Sequence, residues 1–368
     1  MEGSTSRNLA GAPHLHEGST TSAMMWTVTL CLAPSGLWGI WQFGLPALAV
    51  LVVAIGAALL GEIGMGLVLK RPALRDGSAF LTGLLVGYMM PPAVPLYVPL
   101  AASLFAMVVV KWSFGGLGGN WMNPALAGVA LALLSWTGAM GSWTAPHAWH
   151  AVVAGSFATP IASPEAFVAG GLAHQRGGSG GPIALVALGH YPVSPFSQSV
   201  AQWLGSHAGV RIDPHYLDLF VGLVPGSIGQ ISPPLLILGS VVLFRRRILG
   251  WRVPVAYLGA FLLLIWAFGG LPLGGALFQG DPLFHLLAGG IILGALYLAT
   301  DPVTAAHTPG GMIVYGAGAG ALTFLFRDYG SLPAAMPFGI ILMNIVVPAI
   351  DRVARSRRLG MRAREAER

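Results

Sequence analysis

The chain has 368 residues, of which 55% are hydrophobic and only 9% charged, with a formal net charge of +6. A soluble domain carries about 25% charged residues, so a soluble multidomain enzyme is excluded and an all-α polytopic bundle in lipid is expected. The single cysteine, Cys31, excludes an internal disulfide, and it excludes an iron–sulfur cluster built from this chain alone, which takes about four thiolates.

Residues 1–22 are rich in Ser, Thr and Gly and lack the basic region and small-residue cleavage site of a signal peptide. They read as a cytoplasmic tail ahead of a retained first helix. Apolar runs of roughly 17 to 25 residues mark membrane passes. Ten are predicted, near 24–42, 45–69, 79–93, 94–110, 124–138, 216–244, 253–269, 283–299, 310–326 and 333–351. The third is short and meets the fourth at Met90-Pro91-Pro92-Ala93-Val94-Pro95, so it reads as a broken or re-entrant helix. The eighth is also short and ends at Asp301-Pro302.

Lys and Arg set the orientation. Lys70, Arg71 and Arg75 form one basic loop, Arg245, Arg246, Arg247 and Arg252 another, and the tail 352–368 holds seven arginines. Ten passes put all three groups on one side, the cytoplasm, with both termini there. The loop 139–215 then lies outside, between a first five-helix repeat at 23–138 and a second at 216–351. Five is odd, so the second set enters the membrane in the opposite sense. That is the arithmetic of an inverted repeat, which places binding sites at broken helices in matching positions. Gly83-Leu84-Leu85-Val86-Gly87 is a weak echo of Gly290-Ile291-Ile292-Leu293-Gly294.

Polar residues within apolar runs are the candidates for chemistry. An intramembrane carboxylate such as Glu62 is costly and points to function, for instance an ion path. The plainer reading is that Glu62 reaches Lys70 or Arg71 at the interface. Asp301 either caps a helix starting at Pro302 or lies on an ion path. Between passes four and five, Gly115, Gly116, Gly118 and Gly119 permit close approach of backbone to a ligand, and Asn120 and Asn123 offer amide groups. Asn123-Pro124 also reads as a plain helix N-cap, as does Thr159-Pro160 in the outer loop.

Ordered motifs along nearly the whole chain carry a resemblance. They are Arg75-Asp76-Gly77-Ser78-Ala79 with Leu81-Thr82-Gly83-Leu84-Leu85 and Pro91-Pro92, then Gly115-Gly116-Leu117-Gly118 through Asn120 to Asn123-Pro124-Ala125. Val224-Pro225-Gly226-Ser227-Ile228-Gly229, Trp251-Arg252-Val253-Pro254-Val255-Ala256 and Thr300-Asp301-Pro302-Val303-Thr304 follow. In these the chain resembles the RnfD proteins of Rnf complexes, which are related to the B subunit of the sodium-pumping NADH:quinone reductase. The resemblance implies two five-helix inverted repeats as in urea and ammonium channels. It implies a flavin-bearing subunit, inactive alone, of a translocase that couples electron transfer between ferredoxin and NAD to sodium or proton movement. It implies a place in the cell inner membrane, where other membrane and peripheral subunits would be its partners, with no nucleic acid.

The resemblance further implies FMN held through a phosphoester on Thr159, in Ser156-Phe157-Ala158-Thr159, and a non-covalent riboflavin near Asn120 and Asn123, with Gly118 and Gly119 in the same loop. Phe157 stands where the family has a small residue, and Val153 where an Asp is common. A haem carrier would need paired axial histidines, and only His285 of the ten histidines lies in a predicted pass. A urea- or ammonium-like channel without a redox role would share the fold, so bound flavin is what separates the two readings.

Overall fold

The computed structural model describes residues 20–70, 74, 76–144, 146, 193–209, 212–273, 276–330 and 334–354. Among them every regular element is helical. Helix α1 (Thr21–Phe43) starts at Thr20, whose side chain accepts from the Ala23 N–H, and ends at Gly44, whose φ of 69° turns the chain straight into α2 (Leu45–Val68). α3 (Ser78–Tyr88) begins after left-handed Gly77 and stops ahead of Pro91, Pro92 and Pro95, which cannot extend a helix. α4 (Tyr97–Leu104) runs on as a π-helical segment, Phe105–Trp112. α5 (Pro124–Ser135) is capped by Asn123 and followed by the single turn α6 (Thr137–Met140).

Within the expected outer loop lies a capped helix, α7 (Pro195–His207), followed by α8 (Pro214–Val221). Buried Asp218 of α8 binds both to the α7 cap, accepting from the Ser194 hydroxyl at 2.5 Å and the Ser197 hydroxyl at 2.7 Å. α9 (Pro233–Arg245) and α10 (Arg252–Phe268) follow. The next predicted pass is broken. α11 (Pro282–Leu287) is separated by left-handed Gly289 and Gly290 from α12 (Ile291–Leu293), which continues as π-helical Gly294–Leu298. α13 (Pro309–Asp328) and α14 (Met336–Ala354) complete the described chain.

Among the described residues four helices, α1, α2, α13 and the stretch Met336–Val353 of α14, are long and apolar enough to cross a membrane, and five shorter apolar helices accompany them. Leu30, Leu37, Leu60 and Leu67 face outward along α1 and α2, as lipid contact requires. The run 216–244, expected as one pass, is instead two helices. Gly222 at φ 91° ends α8, Pro225 interrupts the following stretch, and the helix restarts only at Pro233. Apolar character alone does not distinguish such a buried break from a helix. The break is paired: Ile228 and Gly229 donate their N–H groups to the carbonyls of Met90 and Tyr88, at the break after α3.

Contacts between helices give their relative sense at several pairs. Gly239 of α9 packs on Cys31 of α1, and Arg246 donates to the Thr27 hydroxyl, so α9 runs antiparallel to α1. Gly316 and Gly320 of α13 sit against the backbone of Val253 and Tyr257 in α10, a small-xxx-small contact that brings two parallel backbones together. Asp351 near the end of α14 accepts from the N–H groups of His307 and Thr308 at the start of α13. These contacts, with Gly77 against Trp26 of α1 and Gly83 and Gly87 of α3 against Ile55 and Leu51 of α2, place Lys70, Arg245–Arg247, Arg252 and Arg352 at one end of the bundle, with the start of α1. The two glycine echoes, however, serve different roles. Gly83 and Gly87 face α2, whereas Gly290 caps α12 and Gly294 faces Met336.

Candidate functional site

The basic end of the bundle holds a polar network around Glu62. Asp76, just ahead of α3, accepts from the Ser78 N–H at 2.9 Å and from the Ser78 hydroxyl at 2.7 Å. Ser78 Oγ also accepts from Lys111 Nζ at 2.7 Å. Lys111 Nζ donates to both carboxylate oxygens of Glu62 at 2.9 Å, and Trp112 Nε1 donates to Glu62 Oε2 at 2.7 Å. Glu62 and Lys111 are only 4% and 2% exposed, so this is a desolvated ion pair. The π-helical widening of Phe105–Trp112 lets two consecutive side chains reach one carboxylate; such widenings recur at functional sites. The partner of Glu62 is therefore Lys111, and not Lys70 as the plainer reading expected. Arg71, the other expected partner, lies outside the described residues.

The loop after Trp112 folds tightly. Gly115, Gly116 and Gly118 have φ values of 100°, 94° and 94°, and a Cβ on Gly119 would overlap the Phe114 carbonyl oxygen. Only glycine accommodates this path. Gly118 and Gly119 do not line the cleft described next. Their part is to shape the turn that delivers Leu117 and Asn120 to it.

A cleft open to solvent, its space about 820 Å³ with that open solvent included, lies between the two halves of the bundle at its basic end. Met25 and Val28 of α1, Leu85 of α3, Leu243 and Ile248 beside the end of α9, and Leu296 form apolar walls. Ser78, Thr82, Lys111, Asn120, Asn123, Thr300 and Asp301 supply the polar groups. Largely apolar walls with a few convergent polar groups are the usual makeup of a small-molecule site. Asn120 is 7% exposed, and its Oδ1 is buried without a hydrogen-bond partner among the described residues. A buried amide oxygen left so is costly unless a ligand or water donates to it.

Asn123 faces both halves. Its Oδ1 accepts from the N–H groups of Ala125 at 3.0 Å and Leu126 at 3.4 Å, capping α5. Its Nδ2 donates to Asp301 Oδ2 at 3.3 Å, across to the second half. Asp301 also accepts from the Val303 N–H and the Thr304 hydroxyl, closing a single turn. No helix starts at Pro302. The next one, α13, begins at Pro309 with Thr308 as its cap. Thr159, Ser156, Phe157 and Val153 lie outside the described residues.

Residues 8–360 match the family described as NQR2, RnfD, RnfE. The chain belongs to that family. In Clostridium ljungdahlii, the D subunit of the proton-translocating ferredoxin:NAD(+) oxidoreductase complex is 36% identical over 96% of both chains. The D subunit of the ion-translocating oxidoreductase complex of Stutzerimonas stutzeri is 34% identical over 94% of both. In Acetobacterium woodii, the D subunit of the Na(+)-translocating ferredoxin:NAD(+) oxidoreductase complex is 32% identical over 96% of this chain and 95% of its own.

Sequence reasoning brought Glu62, Asn120, Asn123 and Asp301 forward, and the last three meet in the cleft. It passed over Lys111, read as the first residue of a loop. The signal was present, since a buried carboxylate requires a cation nearby. It also passed over Arg327 and Asp328, placed just beyond a predicted pass yet only 3% and 5% exposed. Arg327 donates to the Ala288 carbonyl at 2.9 Å and lies over the Phe261 ring.

Proposed function

We propose that this chain is the flavin-bearing membrane subunit of an Rnf-type complex that couples electron transfer between ferredoxin and NAD to transmembrane sodium or proton translocation. The observation that carries the reading is the cleft: an unpartnered buried Asn120 Oδ1 stands among apolar walls where the two halves of a family-matched bundle meet. The names of the relatives favour this over a urea- or ammonium-like channel without redox chemistry.

The fold proposal is ten passes in two inverted five-helix repeats. Its support is the sense of the helices and a matched pair of contacts. Tyr88 in the third pass donates to the Leu32 carbonyl of α1 at 2.8 Å, beside Gly36. Tyr297 in the eighth pass donates to the Leu236 carbonyl of α9 at 2.8 Å, beside Gly239. Each tyrosine ties the broken pass of its set to the first helix of that set. By the positive-inside rule the basic end is cytoplasmic, with both termini in the cytoplasm, the loop 139–215 outside and the protein in the cell inner membrane.

Riboflavin is the cofactor proposed for the cleft: Asn120 Oδ1 would accept a ring N–H, the Thr82 and Thr300 hydroxyls would meet the polar edge, and the apolar walls would limit water and set the dielectric. The flavin supplies the capacity to take up and release electrons, and the protein supplies placement and tuning. A second flavin, FMN, is proposed on Thr159 through a phosphoester, in the outer loop at the opposite face. Asp301 is the proposed ion-path carboxylate, because it opens on the cleft. Glu62, already holding three N–H donors, is less free for that role. Asp301→Asn is expected to slow ion transport with flavin content intact, and unchanged transport leaves Asp301 with only the closing of its turn to Val303 and Thr304.

The reading is tested by colour. The purified protein should be yellow, release riboflavin on denaturation and keep a fluorescent band in a denaturing gel. A colourless protein that conducts a small neutral solute would support the channel instead.

A further inference from the structure

We propose that Lys111 is a positioning residue that raises the reduction potential of the cleft flavin, with Glu62 behind it holding its charge in place. The inference rests on the flavin reading above and extends it to the electrostatics of the site.

Lys111 lines the cleft and Glu62 does not. The pair is neutral as a whole, but it turns its positive end toward the cleft. All three protons of the ammonium are committed, two to Glu62 and one to Ser78 Oγ. Ser78 is itself held by Asp76. Lys111 is thus a fixed charge and not a mobile arm. Its surroundings exclude water, since it is 2% exposed, so its field is weakly screened. Among the described residues lining the cleft the only other formally charged side chain is Asp301, contributed by the second half and held by Asn123 and Thr304. The cleft therefore has a positive wall from the first half and a negative one from the second.

An electron arriving in the cleft adds one negative charge, with no bond made or broken. The positive end of the pair stabilises that charge, and Asp301 opposes it. Asp301 is also the group whose burden a translocated cation would relieve, so electron arrival and cation attraction act on one site from opposite walls.

The test is redox titration of the non-covalent flavin in the purified complex. It uses Lys111→Gln, Glu62→Gln and the double variant, which keep hydrogen-bonding side chains at both positions. Lys111→Gln is expected to shift the reduced-to-oxidised ratio about tenfold toward oxidised, about 59 mV lower for a one-electron couple. Glu62→Gln unmasks the lysine charge and shifts the potential upward by a similar amount. The double variant falls between the two, and flavin content stays near one per chain throughout. A structural role would move both single variants in the same direction or lower flavin content equally. Two single variants within twofold of wild type, or shifted in the same direction, overturn the proposal. Should Lys111→Gln release the flavin, Glu62→Gln decides alone: an upward shift supports the assignment and no shift overturns it. A wild-type complex without extractable flavin overturns the cleft reading and this proposal with it.

Discussion

Breaking the Glu62–Lys111 pair on one side should be far worse than removing it. In Lys111→Met, Glu62 loses both of its ammonium contacts and keeps only Trp112 Nε1, while remaining 4% exposed. Removing one partner of a buried pair costs about 3–5 kcal/mol, because the remaining charge has neither water nor counter-ion. In Glu62→Leu with Lys111→Met neither charge of the pair is left. The remaining penalty is Trp112 Nε1 without an acceptor, about 1–3 kcal/mol. Against it stands the relief of desolvating two ions, and swapping a buried pair for apolar residues is often neutral or stabilising by about 1–4 kcal/mol. The double variant should therefore lie within about 2 kcal/mol of wild type and well above the single variant. Equilibrium unfolding of the purified protein in mixed detergent, followed by tryptophan fluorescence, measures both. A Lys111→Met protein within about 1 kcal/mol of wild type, or a double variant no more stable than the single, would refute the reasoning.

Three further outcomes follow from the same geometry. Asn120→Leu with Asn123→Leu should remove the flavin released on denaturation while leaving covalent flavin on the chain; extractable flavin at wild-type stoichiometry counts against the cleft. Gly119→Ala drives a Cβ into the Phe114 carbonyl oxygen, so the turn must open; extractable flavin should fall several-fold with the bundle still folded, and undiminished flavin would show that the loop does not position Asn120. Reporter fusions at Gly177 and Arg358 should report opposite sides of the membrane, and a same-side result would mean that the number of passes is wrong.

The ends of α1 and α2 were legible within three residues of their predicted bounds, because Gly44 and Pro46 punctuate an otherwise continuous apolar stretch. The break after α3 was legible for the same reason, since three prolines follow it within eight residues. The division of 216–244 into two helices was not. Its interruption, Val224 to Gly229, is apolar enough to pass for helix, and its backbone is satisfied by distant Met90 and Tyr88, a pairing invisible to any local window. The site divides in the same way. Asn120, Asn123 and Asp301 stood out as polar residues at the ends of apolar runs. Lys111 did not, because its role depends on a partner 49 residues away and on a π-helical turn that no simple periodicity signals. Gly118 and Gly119 were recognised as special, and the path of the loop requires glycine at both positions.

One flavin is proposed at each face of the membrane, so that the two together would relay electrons across the bilayer. The decisive measurement resolves the purified complex of wild type and Thr159→Ala on a denaturing gel and assays the released flavin in parallel. The expected result is a fluorescent band for this chain in wild type, lost in Thr159→Ala with assembly preserved, and the same released riboflavin from both. A fluorescent band that persists in Thr159→Ala and vanishes in Ser156→Ala would move the attachment site, and a wild type with neither a fluorescent band nor released flavin would contradict the two-flavin relay outright.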